Sequence, residues 1–501
     1  MTDALRLIEQ AYARLDTWEA GFGPAAPHPA SAVDAERLGV AMDEFLSRLT
    51  APPRGETPGM YPFFHPRFAG QMLKPPHPVA LAAYAAAARI NPNNHALDGG
   101  PPTAAMEREA VSWLAAMLGF PETHLGHLTG GGTVANLEAL FVAREETAGG
   151  PAGRGRAVAV SSDAHYTHAR MNGVLGVETV AVAADDDGRM RLDALEDVLA
   201  TGRVGTVVLT AATTGLGTVD PIAAAIPLCR TRGVRVHVDA AYGGFFRLLA
   251  HGGGPGHALD GFPAADFLAI ADADSVVIDP HKHGLQPYGC GAVLFRDPAV
   301  GRHYRHDSPY TYFTSQALHL GEISLECSRP GAAAAALWLT LRALPLDARD
   351  GLGPVLSASL RAARDLAGRL DASDRFRLWA PPATDIVVYA PKTGRVSTTD
   401  SAAGAIFDAG MADPADPLFL SLYRMDAPRL ARRWGLDADA PAARVLRSVL
   451  MKPEHESAVP WIAGRLHSLE RDTGTESGEP GDGSRPESGR PLDSPAQTPP
   501  R

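Results

Sequence analysis

Six short β-branched runs, separated by stretches with helical spacing, constrain this chain more than any other feature. RAVAVSS (156–162) precedes AHYTHARMNGVLG, VETVAVAA (177–184) precedes LDALEDVLATG, and VGTVVLTAA (204–212) precedes IAAAIPLCRTRG. VRVHVDAA, DSVVIDP and CGAVLFRD follow between residues 234 and 297. Strands alternating with helices predict an α/β fold built on a mainly parallel, doubly wound sheet. At 501 residues the chain also exceeds what one simple core holds. We expect an N-terminal arm of helix and Pro-rich linkers over 1–75 and a large domain over 76–345. A smaller α+β domain containing IVVYAP and RVLRSVLM is expected over 346–468. The remainder, 469–501, is rich in Gly, Pro, Ser and charge without aliphatic periodicity, which predicts a disordered tail.

Bulk properties exclude several classes of function. A net charge of −11 with no basic block argues against nucleic acid or an anionic membrane as the main partner. Cys229, Cys290 and Cys327 are scattered, with no CxxC spacing, so neither a disulfide framework nor a zinc site is expected. A reducing, cytoplasmic compartment fits that usage. MTDALRLIEQAYARL reads as an amphipathic helix, since it lacks the basic start and continuous apolar stretch of a signal peptide. No apolar run is long enough to span a bilayer.

In open parallel sheets ligands sit beyond the carboxyl ends of the strands. Residues just after the expected strands are therefore the candidates: Asp163 to His165, Thr213 and Thr214, Asp239 to Ala241, and Asp279 to Lys282. Lys282 stands out, because the chain has lysine only there and at Lys74, Lys392 and Lys452. Arginine stays charged, whereas lysine can become a neutral amine nucleophile. Upstream, HLTGGGTVANLEAL leads three glycines into a helical pattern, the arrangement of a phosphate cradle. By itself that signal is weak, since many helices start after glycine for packing reasons. Asp239, taken alone, reads equally well as a helix N-cap. A phosphate cradle, a carboxylate after one strand and a lysine after a later one together suit pyridoxal phosphate. His237, His281 and His283 lack the companion ligands of a metal site, so no metal is expected.

These motifs carry a family resemblance. HPRFAGQM, LTGGGTVANLEAL, HVDAAYGG and DPHKHG, in this order, resemble HPxFxxQ, TSGGTxANLxAL, HVDAAYxG and NPHKW of the group II pyridoxal-phosphate-dependent amino acid decarboxylases, over roughly residues 60–465. That family includes glutamate, aromatic-amino-acid and archaeal-type tyrosine decarboxylases. The resemblance implies the fold type I, aspartate aminotransferase-like architecture and a homodimer with its site at the interface. It implies an L-amino acid substrate that leaves as CO2 and amine, with Lys282 joined to the cofactor as a Schiff base. By the same carry-over Asp239 pairs with the pyridine nitrogen, Ala241 packs on the ring and His165 stacks on its opposite face. Gly132 and Thr133 bind the phosphate with His281 near it, and Thr213 lies near the cofactor's polar edge. RVLRSVLMKPEHE resembles the segment holding the substrate-carboxylate arginine, at Arg447 or else Arg444. SPYTYFTS resembles the loop whose tyrosine reprotonates the substrate carbon, a role open to Tyr312 or Tyr310.

Two positions depart from the pattern: Asp279 replaces the usual Asn and His283 the usual Trp. Gln71, Asn91, Asn94 and His95 fall where the family lines its substrate pocket, a polar set that leans toward a polar or acidic side chain. They read equally as helix caps and dimer ties. Tyr61, Phe63, Phe64 and Phe68 keep an aromatic substrate open. Rival activities on the same cofactor are an aldehyde synthase, an aminotransferase and another lyase. A catalytically silent, cofactor-binding interaction protein is a more distant rival.

Overall fold

The computed structural model describes residues 3–23, 29–53, 58–147, 156–250, 261–305 and 319–474. A seven-stranded sheet forms its centre: β1 (Leu125–Thr129), β2 (Ala157–Ser161), β3 (Thr179–Val182), β4 (Val204–Thr210), β5 (Arg235–Asp239), β6 (Ser275–Ile278) and β7 (Gly291–Phe295). The order is β1-β7-β6-β5-β4-β2-β3. β3, β2, β4, β5 and β6 run parallel, and β7 is antiparallel to both β6 and β1. The mainly parallel α/β sheet expected from the sequence is therefore present. β2 to β7 are the six runs read from the sequence; β1, LGHLT, is additional.

Every residue of β2, β4, β6 and β7 is buried. Helices cover both faces, so both alternating sets of side chains must be apolar. Val276, Ile278 and Leu294 point into one core with Leu114, Leu118 and Val236. The intervening Val277, Val293 and Phe295 join Ala135, Ala139 and Val142 on the other side. The first six described α-helices are α1 (Ala4–Ala20), α2 (Ala35–Thr50), α3 (Pro78–Ile90), α4 (Pro101–Leu118), α5 (Gly132–Glu146) and α6 (Thr167–Leu175), and of these α5 and α6 contribute to the site. Since β1 opposes β7 and β7 opposes β6, β1 points the same way as β6. The carboxyl ends of β1, β2, β4, β5 and β6 thus share one edge.

A second sheet, all antiparallel, has the order β10-β11-β9-β8, from β8 (Phe376–Leu378), β9 (Ile386–Pro391), β10 (Ser421–Asp426) and β11 (Ala442–Val449). The helix Leu352–Asp371 serves both cores. Leu352, Leu356 and Leu360 pack with the large sheet's core, and Ala363, Leu366 and Leu370 with the small one's. The N-terminal arm is tied down at two places. Arg89 of α3 pairs with Asp16 and Glu19 of α1, and Ala69 N–H donates to Phe419 O at 2.8 Å. α2 buries none of its residues. The last helix, His455–Gly474, continues past the boundary expected at 468, and the rest of the expected tail lies outside the described residues.

Candidate active site

The shared edge opens on a pocket of about 340 Å³ lined by Gly130 to Thr133, His165, Asp239, Ala241, Asp279, His281 and Lys282 among others. Segments as far apart in sequence as Gly130 and Lys282 meet here because each follows a strand ending at that edge.

The glycine run after β1 has steric reasons. Gly131 has φ +145° and is the N-cap of α5, without a capping side chain. The first N–H groups of α5 therefore stay available to an anion. A Cβ on Gly132 would meet Asp279 Oδ2 at 2.6 Å. A Cβ on Gly291, the first residue of β7, would meet Gly131 Cα at 2.7 Å. The cradle lies on the sheet with no room between.

Lys282 Nζ stands 3.0 Å from Asp279 Oδ2, and His281 Nε2 stands 3.4 Å from the same oxygen. Asp279 is buried, and its Oδ1 has no hydrogen-bond partner among the described residues. At the end of β5, Asp239 Oδ1 accepts from Ala241 N–H at 3.1 Å, and Oδ2 lies 2.9 Å from His168 Nε2. Burial pushes the Asp239 carboxyl upward. The bond to His168, the Lys282 ammonium and the Ala241 N–H outweigh burial and hold it well below the usual carboxylate range. The half-buried His165 ring accepts from Thr167 N–H at 3.2 Å, and burial lowers its pKa. Burial likewise lowers that of His281.

The sequence-predicted residues divide. Lys282, Asp239, Ala241, His165, Gly132, Thr133 and His281 all line the pocket. Thr213 turns into its own loop, 3.0 Å from Thr218 Oγ1, and Thr210 and Thr214 line the pocket instead. Arg447 is buried near it, donating to the carbonyls of Thr214 (2.7 Å), Gly215 (3.1 Å) and Gly70 (3.4 Å) and to Ser421 Oγ (3.1 Å). Four of the five guanidinium N–H groups are so used. Arg444 pairs with Asp400 at 2.7 Å, with a half-exposed side chain. Asn94 is fully buried, bonded to Glu107, Thr103 O and Thr103 Oγ1, which is a structural role. Asn91 caps α3 in the left-handed region, φ 54°. Gln71 is exposed, and neither it nor His95 is among the described lining residues. Tyr310 and Tyr312 lie outside the described residues.

Sequence reasoning passed over a buried group behind Lys282. Tyr242 OH donates to Asp385 Oδ1 at 2.7 Å, and His283 Nε2 lies 3.2 Å from Asp385 Oδ2. Tyr242 lines the pocket, while Asp385 comes from the segment entering β9. Among the described residues no group of three or more His, Cys, Asp and Glu is placed to hold a metal ion. No described helix is long and apolar enough to cross a membrane.

Comparison with known proteins agrees with this geometry. Residues 57–392 match the model of the pyridoxal-dependent decarboxylase conserved domain. The chain is 31% identical over 356 residues to an L-2,4-diaminobutyrate decarboxylase of Rhizobium meliloti, covering 67% of this chain and 68% of that protein. It is 30% identical to an L-aspartate decarboxylase of Thermococcus kodakarensis, covering 64% and 79%. Among solved structures, Oryza sativa TDC with PLP and tryptamine superposes with a TM-score of 0.71 at 20% identity, covering 94% and 96%. Mouse CSAD gives 0.69 at 22%, covering 88% and 92%. At such identities the structures speak for the fold, which is fold type I.

Proposed function

The chain belongs to the pyridoxal-dependent decarboxylase family, and from that premise we propose that it converts an L-amino acid to CO2 and the corresponding amine, with Lys282 as the amine that carries the cofactor. One observation carries this reading: Lys282, the Asp239 carboxylate and the uncapped start of α5 open on a single pocket. The residues present fit pyridoxal 5'-phosphate. The cradle offers backbone N–H groups in a space a single Cβ would fill, and the pocket sets a buried carboxylate opposite an accessible lysine.

When bound, pyridoxal phosphate supplies an aldehyde that joins to an amine and a ring that accepts the electron pair left by CO2. The protein's part follows from its own groups. The N–H groups of Gly132 and Thr133 would hold the phosphate, helped by the α5 dipole. The ionised Asp239 would hold a proton on the ring nitrogen. His165 and Ala241, which both line the pocket, would bound the ring and fix its orientation. With the ring fixed, the substrate bond held perpendicular to it is the one that breaks, so positioning selects the reaction. The proposed loop acid, Tyr312 or Tyr310, would return a proton to the substrate carbon. Arg447 keeps one N–H group for the substrate carboxylate, through Nη2 beside Thr214.

The relatives named above act on diaminobutyrate and aspartate, which supports a polar substrate side chain here. A homodimer belongs to the same proposal. It is supported by α2, where Leu38, Met42, Phe45, Leu46 and Leu49 are all exposed. A reducing, cytoplasmic setting is supported by three free cysteines. The test is to incubate the purified protein and pyridoxal phosphate with each L-amino acid, following CO2 and amine by mass spectrometry. Lys282→Ala serves as the control. Amine and CO2 from one substrate, absent in the control, are expected; aldehyde or keto acid without amine overturns the reaction.

A further inference from the structure

We propose that His168 is a positioning residue for the cofactor's ring nitrogen, acting through Asp239. The inference rests on the reading of Asp239 above. His168 sits in the first turn of α6, fully buried, with Nε2 2.9 Å from Asp239 Oδ2. A carboxylate only accepts, so Nε2 carries the proton and donates it. The other ring nitrogen, Nδ1, is buried without a hydrogen-bond partner among the described residues. The described bonding of this ring is thus spent on Asp239.

The consequence is geometric. Asp239 Oδ1 is held by the Ala241 N–H at 3.1 Å and Oδ2 by His168. Two donors, one from the chain after β5 and one from α6, fix the plane of the carboxylate. Each oxygen keeps a further lone-pair direction, and Asp239 lines the pocket. Removing the His168 donor releases one oxygen to rotate, and a rotated carboxylate no longer meets the ring nitrogen. The other charged or titratable groups around this pair are His165, His237, Asp279, His281 and Lys282. None of them is hydrogen-bonded to Asp239.

The test uses two ligands differing only where the proposed effect acts: pyridoxal phosphate, and its analogue with carbon in place of the ring nitrogen. Affinities are measured by equilibrium absorbance and fluorescence titration, without substrate. His168→Phe fills the slot without a donor. His168→Gln places an amide N–H at the reach of Nε2, and His168→Asn places one too short to reach. We expect His168→Phe and His168→Asn to weaken pyridoxal phosphate at least tenfold and the analogue less than twofold, with His168→Gln close to wild type. Equal losses for both ligands, or no loss for either, overturn the inference and leave a role in packing. Should the His168→Phe protein not fold, the contrast between Gln and Asn decides in the same way. A wild-type protein that binds the two ligands equally well would instead overturn the reading of Asp239, and the inference with it.

Discussion

A methyl group has no room at position 132. Its Cβ would lie 2.6 Å from Asp279 Oδ2, a buried carboxylate oxygen already 3.0 Å from Lys282 Nζ. Gly132→Ala should therefore push Asp279 and the cradle apart and weaken pyridoxal phosphate at least tenfold, about 1.4 kcal/mol, with the fold intact. Titration of the purified variant checks this, and unchanged affinity would move the phosphate elsewhere. Arg447 makes a different prediction. Its guanidinium binds the carbonyls of Gly70, Thr214 and Gly215 and the Ser421 hydroxyl, joining arm, large domain and small sheet. Arg447→Met strands those groups and should cost about 3 kcal/mol of stability in urea denaturation. If the remaining N–H also serves a substrate carboxylate, the conservative Arg447→Lys should raise KM more than it lowers kcat.

At the scale of elements, β5 is locked to its neighbours through His237. The ring stands between Asn136 Oδ1 of α5 and Ser275 Oγ of β6, each at 2.9 Å. Burial, reinforced by His168, lowers its pKa to about 3. Folded, it stays neutral where an unfolded histidine, with a pKa near 6.5, takes a proton. Between those values the unfolded chain binds one proton more, so acidification should remove about 1.4 kcal/mol of stability per pH unit. His237→Gln should flatten the plot of unfolding free energy against pH by that amount between pH 6 and 4. An unchanged slope would mean that the ring titrates normally. The same elements show what a sequence reading reaches. β2, β4 and β6 are buried on both faces and betray themselves as unbroken apolar runs. β1 hides because His127 and Thr129 are buried within it, His127 Nε2 lying 2.9 Å from the equally buried Glu138. Which threonine follows β4 into the pocket was not legible either. Ala212, at φ +76°, reverses the backbone there, so Thr213 faces Thr218 and Thr210 and Thr214 face the pocket. Lys282 and Asp239 were legible because a strand's end fixes the direction of the next residues.

For the whole molecule the decisive carboxylate is Asp385, which reads in TDIVVY as an ordinary turn residue before a strand. Its partners Tyr242 and His283 lie more than 100 positions earlier, so no local pattern could point to them. In the fold it precedes β9 of the small sheet and is fully buried, where Tyr242 OH donates at 2.7 Å and His283 Nε2 lies 3.2 Å away. Burial raises its pKa, but His283, Tyr242 and Lys74 outweigh burial and hold it below the ordinary carboxylate range. A depressed pKa contributes stability above the unfolded value of about 3.9, lost as pH falls through the folded value. Asp385→Asn keeps the shape and removes the charge, which should cost about 3 kcal/mol at pH 7 because Lys74 loses its counter-charge and the Tyr242 hydroxyl its charged acceptor. Between about pH 6 and 3 the difference between wild type and variant should narrow, most steeply below about 4, as the wild-type carboxyl gains its own proton. Urea denaturation across that range measures it. A constant difference down to pH 3 would assign the cost to packing. Narrowing would establish that the buried Asp385 charge ties the small antiparallel sheet to the chain after β5 and β6 that carries Tyr242 and His283.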